Sequence, residues 1–222
     1  MEDLEDMWAQ MKLIEEEMGT IDLNEEESEV VLKKGEKCLI GKVCLERVIS
    51  KSIISTTMAK IWRLSKPATF MEVGANLFTH ANKQKVEEVR PWLFDNRLFI
   101  IRKFDGVSQS GKMKFEHEAL WVQLHNLPLA HMNCNTGEKV GNSIGRVMEI
   151  DVDEEGIEWG KCLQIKVEID LKRSIVRGPM INASGSKVWI PFKYEKSPRL
   201  CFTCRQILHD TRLCNRQKVM SG

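Results

Sequence analysis

The stretch CFTCRQILHDTRLC, residues 201–214, contains three cysteines and one histidine at a spacing that suits a metal ion. Two residues separate the first two cysteines, and four residues stand on each side of the histidine before the neighbouring cysteine. Thiolates and imidazoles are the ligands that zinc prefers in a tetrahedral site, and a two-residue spacing lets both thiolates reach one ion from a single tight turn. The pattern therefore predicts Zn²⁺ bound by Cys201, Cys204, His209 and Cys214.

Basic and aromatic residues surround this motif. Asp210 is the only acidic residue between positions 196 and 222. Basic side chains neutralise phosphates, and an exposed ring such as Phe202 can stack on an unpaired base for about 1–3 kcal/mol. We therefore expect contact with single-stranded RNA or DNA, while Phe202 packing inside the motif is the alternative. The candidate contact residues are Phe202, Arg199, Arg205, Arg212, Arg216 and Lys218.

The composition is that of a globular protein. The chain of 222 residues is 42% hydrophobic and 29% charged. No apolar run approaches the roughly 18 residues that span a bilayer, and the first residues lack the features of a secretion signal. Seven cysteines, an odd number, argue against a disulfide framework. We therefore expect an intracellular protein, in the nucleus or cytoplasm, with no membrane partner.

Charge divides the chain into an acidic leader and a basic body. Residues 1–30 hold 12 acidic residues and a single lysine, whereas the remaining residues hold 32 basic and 20 acidic ones. Apolar residues at positions 4, 7, 8, 11, 14 and 18 favour one amphipathic helix. Residues 1–36 are thus predicted to be a helical or disordered leader, which either is simply solvated, or docks on a partner or masks the basic surface.

Residues 37–107 alternate between strand and helix patterns. Strands are predicted at 37–43, 68–74, 76–81 and 97–104, with helices at 47–64 and 82–90. The order β-α-β-β-α-β is that of a ferredoxin-like or RRM-like sandwich. An RRM reads RNA with aromatic residues on its central strands, and here only Phe78 is available for that purpose. A structural or self-association role is therefore the preferred prediction for this domain.

Residues 118–195 are predicted to be a β-rich linking segment. Strands are expected at 119–128, 146–153, 162–171 and 187–195, with a short polar helix across 135–145. The stretch DGVSQSGKMKFEHE, residues 105–118, is rich in Gly and Ser and marks the predicted boundary between the two units. The metal motif then occupies residues 198–216 and a tail residues 217–222. The predicted fold class is α+β.

Four of these segments together carry a family resemblance. They are RPWLFDNRLFIIRKFD, ALWVQLHNLPLAHM, SIGRVMEIDVD and FKYEKSPRLCFTCRQILHDTRLC. In this order they resemble plant retrotransposon-derived proteins that join a domain of unknown function, number 4283, to a CCHC zinc knuckle. The resemblance, over residues 37–214, implies an RRM-like domain, a β-rich segment and a nucleic-acid-binding knuckle, as in gag-like or first-frame proteins of LINE-type elements.

Two positions depart from the usual knuckle. The residue after the second cysteine and the residue before the histidine are commonly glycines, and here they are Arg205 and Leu208. A left-handed backbone would cost about 1–2 kcal/mol at each non-glycine residue. Zinc binding to small fingers contributes roughly 10–16 kcal/mol, so we expect a weakened knuckle that still binds the metal. A relic that has lost its zinc is the alternative.

Catalysis is not expected. The histidines outside the motif are isolated, and no P-loop or nucleophile-elbow pattern is present in the sequence. The leading hypothesis is a non-enzymatic nucleic-acid-binding protein. The competing hypothesis is a protein-interaction or assembly module whose knuckle has decayed.

Overall fold

The structure, a computed structural model, describes most of the chain beyond the leader. The described residues are 7–8, 10–12, 14–20, 29, 32–33, 35, 38–45, 47–63, 69–80, 86, 90–104, 108–183, 185–209 and 214. Their helices are α1 (Lys51–Ile61) and α2 (Cys134–Gly141). Their strands are β1 (Leu39–Val43), β2 (Phe70–Gly74), β3 (Leu77–His80), β4 (Trp92–Phe94), β5 (Arg97–Lys103), β6 (His117–Leu124), β7 (Arg146–Asp151), β8 (Leu163–Asp170), β9 (Met180–Ala183), β10 (Ser186–Trp189) and β11 (Phe192–Tyr194).

The first sheet has the strand order β2-β3-β1-β5-β4, and all neighbouring strands are antiparallel. Strand β5 shows why the sheet is covered on both faces. Leu98 and Ile100 enter one apolar cluster, whereas Phe99 and Ile101 enter another. Because successive side chains point to opposite faces, a strand buried on both sides is an almost continuous apolar run, as in RLFIIRK.

Strand β4 is an addition to the predicted arrangement. It forms a hairpin with β5 around Asp95 and Asn96, whose φ angles are +51° and +58°. Such left-handed pairs fit the two-residue turns that match the twist of a hairpin. The predicted helix at 82–90 lies outside the described residues except for Val86 and Arg90, so the β-α-β-β-α-β order is not shown.

The second sheet has the order β11-β6-β8-β7, also antiparallel. Strands β6 and β8 alternate between buried and half-buried residues along most of their length, as expected when one face packs on the core. Helix α2 begins at Asn133, whose side chain accepts a hydrogen bond from the backbone N–H of Thr136 at 3.0 Å. Gly141 lets this helix approach the sheet, because a Cβ there would lie 2.5 Å from Val147 Cγ2.

The segment at 187–195 is not the single strand that its alternation predicts. It splits into β10, which pairs with β9, and β11, which pairs with β6. Pro191 stands between them, and proline cannot donate the ladder hydrogen bond that a continuous strand requires. Strand β9, in MINA, has no counterpart in the prediction.

One apolar cluster joins the two sheets. Ile40 and Ile100 of the first sheet share it with Leu120 and Ile165 of the second. The opposite face of the first sheet packs on α1 in a second cluster, where Trp62 stacks on Phe70 with ring centroids 5.5 Å apart. The described residues therefore form a mixed fold of antiparallel sheets and two helices, which confirms the coarse α and β composition expected from the sequence.

Two expectations on helices need correction. Helix α1 begins at Lys51, later than position 47, with Ser50 as its N-terminal cap residue. The leader does not form one helix across residues 4–18, since Ile14 is extended and a 3₁₀ turn follows at Glu15–Glu17. The described apolar side chains between positions 7 and 18 are all at least 57% exposed, so their burial does not stabilise a helix there. Among the described residues, no helix has the length and apolar content needed to cross a membrane.

Candidate metal centre and its grooves

The metal motif folds into one cluster of ligands. The ligand atoms of Cys201, Cys204, His209 and Cys214 all lie within 4.8 Å of one another. The three cysteines are buried, and Cys204 Sγ lies 3.1 Å from His209 Nε2. Thiolates at roughly 2.3 Å from a tetrahedral zinc ion stand about 3.8 Å apart, so this donor set and its spread fit zinc. The four predicted ligands are therefore brought together.

A tight turn places the first two cysteines. The backbone N–H of Arg205 donates to the carbonyl of Cys201 at 2.7 Å, and the N–H of Cys201 donates to the carbonyl of Gln206 at 2.8 Å. Arg205 has a φ of +61°, the left-handed geometry that glycine commonly supplies. Leu208 is absent from the positive-φ residues of the described chain and packs against the core between the sheets. Only one of the two missing glycines therefore carries a backbone cost.

The turn also favours the thiolate form of Cys201. Burial raises the pKa of Cys201, but hydrogen bonds from the backbone N–H groups of Cys204 and Thr203, and from the thiols of Cys204 and Cys214, outweigh it and lower the value to about 6. Burial and the neighbouring Cys201 raise the pKa of Cys204. Zinc binds the thiolate form of cysteine, so the turn prepares one ligand in advance.

The knuckle is anchored to the segment that follows β8. Ser174 Oγ donates to the carbonyl of Cys204 at 2.6 Å, and the N–H of Ile175 donates to the carbonyl of Arg205 at 2.8 Å. The side-chain amide of Gln206 donates to the carbonyl of Lys172. Ile207 is 1% exposed and belongs to the cluster that joins the sheets. The metal motif is thus docked on the sheets.

A second anchor comes from the first sheet. The guanidinium of Arg97, in the β4–β5 hairpin, donates to the carbonyl of His209 at 3.3 Å. The N–H of Arg199 donates to the carbonyl of Asn96 at 2.6 Å. Arg97 is buried, so its hydrogen bond lies in a site shielded from water. Both sheets therefore fix the orientation of the metal loop.

The predicted nucleic-acid contacts divide into two groups. Phe202 is 83% exposed, which excludes the alternative that its ring only fills the interior of the motif. Arg199 and Arg205 are also exposed. Arg212, Arg216 and Lys218 lie outside the described residues and stay predictions. Phe78, the one aromatic candidate on the strands of the first domain, is fully buried and cannot stack on a base.

Phe202 borders an open groove that the sequence did not reveal. This surface, which we call the knuckle groove, is lined by Ile175, Arg177, Leu200, Phe202 and Arg205 and has a volume of about 550 Å³. Ile175 and Arg177 come from the loop before β9, more than 20 residues before the metal motif. No spacing signal links them to Phe202, because only the docking of the knuckle brings them together.

Comparisons with known proteins agree with the metal centre. A family model described as a zinc knuckle matches residues 177–216, so the matched region also includes Arg177 and the strands β9 to β11. An uncharacterized Arabidopsis thaliana protein, At4g02000, is 22% identical over 132 residues, which cover 58% of this chain and 41% of that protein. The chain thus spans less than half of the length of this curated relative. No solved structure matches the chain.

The zinc-knuckle match confirms that this chain contains a zinc knuckle. Its predicted ligands, Cys201, Cys204, His209 and Cys214, form a Cys₃His cluster that could hold a metal ion.

Proposed function

We propose that this protein is a zinc-dependent, non-enzymatic binder of single-stranded RNA or DNA with low sequence specificity. The observation that carries the proposal is the pairing of a compact Cys₃His cluster with the exposed ring of Phe202 on the same short loop. A buried ring would serve the knuckle alone, whereas an 83% exposed ring beside Arg205 has the arrangement of a stacking platform with a phosphate contact.

Each part of the loop has a distinct task in this proposal. Zinc, held by the three cysteines and His209, fixes the loop in one conformation. Phe202 stacks on an unpaired base, which any base can satisfy, so sequence preference is low. Arg205, Arg199 and Arg177 neutralise phosphates along the groove, and Arg212, Arg216 and Lys218 extend this charge toward the C-terminus.

Anisotropy of a dye-labelled oligothymidylate or oligouridylate, titrated with the zinc-loaded full chain, tests this function. Phe202→Ala is expected to weaken binding about 5- to 150-fold, which corresponds to the 1–3 kcal/mol of one stacked base. Cys214→Ser, which removes a metal ligand, is expected to abolish binding. The affinity of the wild type should also fall as salt rises.

Trp159→Ala is the matched control, because Trp159 is a similarly exposed aromatic residue, 78% exposed, outside the knuckle. This control should bind like the wild type. Equal affinity for wild type, Phe202→Ala and Cys214→Ser, or affinity independent of salt, would contradict the proposed function. Preference between the two oligonucleotides reports whether RNA or DNA is bound more tightly.

The first sheet supports an RRM-like architecture for residues 37–107, and we include that architecture in the proposal. Helix α1 follows β1, and β3, β1 and β5 are adjacent and antiparallel, as in a ferredoxin-like sheet extended by β4. With Phe78 buried, this domain has a structural role and does not read RNA through its sheet. On the basis of the resemblance to retrotransposon-derived proteins of plants, we propose that the chain is a gag-like product of this kind that acts in the nucleus or cytoplasm.

A second candidate function rests on apolar residues exposed around α1 and β2. Val48, Ile53, Ile61, Met71 and Val73 are 37–71% exposed, and β2 is an edge strand of the first sheet. Exposed apolar surface beside an edge strand suits self-association or a protein partner. Sedimentation of wild type against Ile53→Glu distinguishes this candidate, since an assembly module would lose its oligomer.

A further inference from the structure

A second groove borders the knuckle at Leu208. Its volume is about 470 Å³, and Leu208 of the knuckle forms part of its wall. Four lysines surround it, from three separated parts of the chain: Lys42 of β1, Lys112 and Lys114 before β6, and Lys172 after β8. We call this surface the lysine groove. The sequence gives no sign of it, because tertiary packing alone brings these lysines together.

The lysine groove carries a net positive charge. Among the residues that the structure describes, its only acidic lining residue is Glu116, which pairs with Lys172 at 2.6 Å. Lys42, Lys112 and Lys114 are exposed and form no ion pair with any described residue. The hydrogen bond from Lys172 lowers the pKa of Glu116, and the charges of Lys172 and Lys114 lower it further. Three ammonium groups thus remain available to an anionic ligand.

Apolar side chains also line the lysine groove. Val43 and Phe115 are buried there, and Met113 and Leu208 are half-buried. Burial raises the pKa of the Cys44 thiol to about 12, so this lining residue stays uncharged at neutral pH. A lining that combines apolar, uncharged side chains with cations suits a ligand that combines anionic groups with flat apolar rings. Nucleotides have that composition, because their phosphates are anionic and their bases are flat rings.

The segment 172–175 contributes residues to both the lysine groove and the knuckle groove. Lys172 lines the lysine groove and accepts a hydrogen bond from Gln206 of the knuckle. Ile175 lines the knuckle groove and donates to Arg205. Arg173, between them in sequence, has a side chain that is 84% exposed and pairs with Asp170 at 3.4 Å. Basic residues therefore line both grooves, and one short segment of the chain links the two.

We propose that the lysine groove is a second binding subsite for the same single-stranded nucleic acid, so that one strand occupies both grooves around the knuckle. This inference rests on the proposed function. Two linked subsites raise affinity for any strand long enough to reach both, because binding at one raises the effective concentration at the other. The lysine groove thus sets the length of nucleic acid that the protein covers.

The test compares two oligothymidylates, of about 6 and about 16 nucleotides, across a salt titration with the zinc-loaded full chain. The test variant carries Lys42→Ala, Lys112→Ala and Lys114→Ala, all exposed positions that should leave the fold intact. Lys172 is retained because its ammonium group pairs with Glu116. The control variant removes three exposed lysines outside both grooves, Lys51, Lys60 and Lys187.

Wild type is expected to bind the longer oligonucleotide at least about tenfold more tightly than the shorter one. The test variant should lose most of this gain, and its slope of log affinity against log salt should fall by about 2, or about 0.7 for each lost phosphate contact. Its affinity for the short oligonucleotide should match the control. Phe202→Ala should weaken both lengths while leaving the slope unchanged.

Failure of the inference differs from failure of the proposed function. If wild type binds neither oligonucleotide, the proposed function fails and the inference fails with it. If wild type binds both and the test variant keeps the slope and length gain of the control, only the inference is overturned. That second result would leave an acidic peptide as the ligand class to test for the lysine groove.

Discussion

The knuckle and the sheets are stabilised by different means. The sheets surround two clusters of aliphatic and aromatic side chains, in which residues such as Leu120, Ile165 and Phe70 are almost fully buried. Among the described residues of the knuckle, the separate buried cluster consists of Cys201, Cys204 and Cys214. Three thiols bury far too little apolar surface to offset the entropy of ordering a loop. The metal must therefore supply in the knuckle what apolar burial supplies in the sheets.

The two regions nevertheless meet at a defined junction. Ile207 inserts into the cluster between the sheets, and hydrogen bonds from Ser174, Ile175 and Arg97 hold the loop. This docking fixes where the knuckle sits but does not replace its core. We therefore expect damage to the metal site to stay local, and damage to the sheets to spread to the whole chain.

Removal of the metal should give the largest effect, and this effect should be confined to the knuckle. Cys201→Ser with Cys204→Ser, or a chelator, removes the roughly 10–16 kcal/mol that zinc supplies to small fingers. Hydrogen exchange followed by mass spectrometry should show residues 198–209 losing protection, while β6 and β8 keep theirs. Native mass spectrometry should find one zinc ion in the wild type and none in the variant.

Cys162→Ser provides the control for this experiment, since Cys162 is a half-buried cysteine outside the cluster. It should retain one zinc ion. Loss of protection across both sheets on metal removal would show that the knuckle stabilises the entire fold, and the contrast between the two regions would then be wrong. Full protection of residues 198–209 without metal would show that docking alone holds the loop.

The ion pair between the sheets allows the opposite experiment, in which the sheets are damaged and the knuckle is left unchanged. Glu118 at the start of β6 is 2% exposed and pairs with Arg102 of β5 at 3.2 Å. Arg102→Met leaves this carboxylate buried without its partner, so the free energy of unfolding at pH 7 should fall by about 3–5 kcal/mol. Urea unfolding measures that loss, and zinc stoichiometry at low urea should be unchanged.

The pH dependence of this loss identifies its cause. Burial raises the pKa of Glu118, although Arg102 opposes the shift, so removing Arg102 raises the pKa further. A raised folded-state pKa means that the folded protein takes up a proton more readily than the unfolded chain. Its stability therefore falls as pH rises from the unfolded value toward the folded one. The loss of unfolding free energy caused by Arg102→Met should become smaller toward pH 4.5. The double variant Arg102→Met with Glu118→Gln should show no such pH dependence. A deficit that is equal at both pH values would point to lost packing instead.

Local patterns predicted those features that short stretches of sequence determine. All four metal ligands follow from spacing within 14 residues, and the alternation along β6 and β8 marks their buried face. The hairpin β4–β5 escaped prediction although its Asp95–Asn96 turn is a local signal. The two grooves could not be predicted, because Arg177 and Lys42 reach the knuckle only through the packing of distant segments.

Substitutions at the two positions that lack the usual glycine should give the smallest effect. They are also the most direct test of how the knuckle loop is built. Arg205 has a φ of +61°, whereas Leu208 lies outside the positive-φ set and packs against the core. Arg205→Gly should therefore be about 1 kcal/mol more stable than Arg205→Ala, since both lose the same charge and only glycine accepts that φ without strain. Leu208→Gly should be less stable than Leu208→Ala, because glycine there only adds freedom to the unfolded chain. Competition for zinc against a chromogenic chelator reports these differences as shifts in metal affinity. Glycine improving both positions equally would mean that Leu208 also adopts the left-handed geometry when zinc is bound.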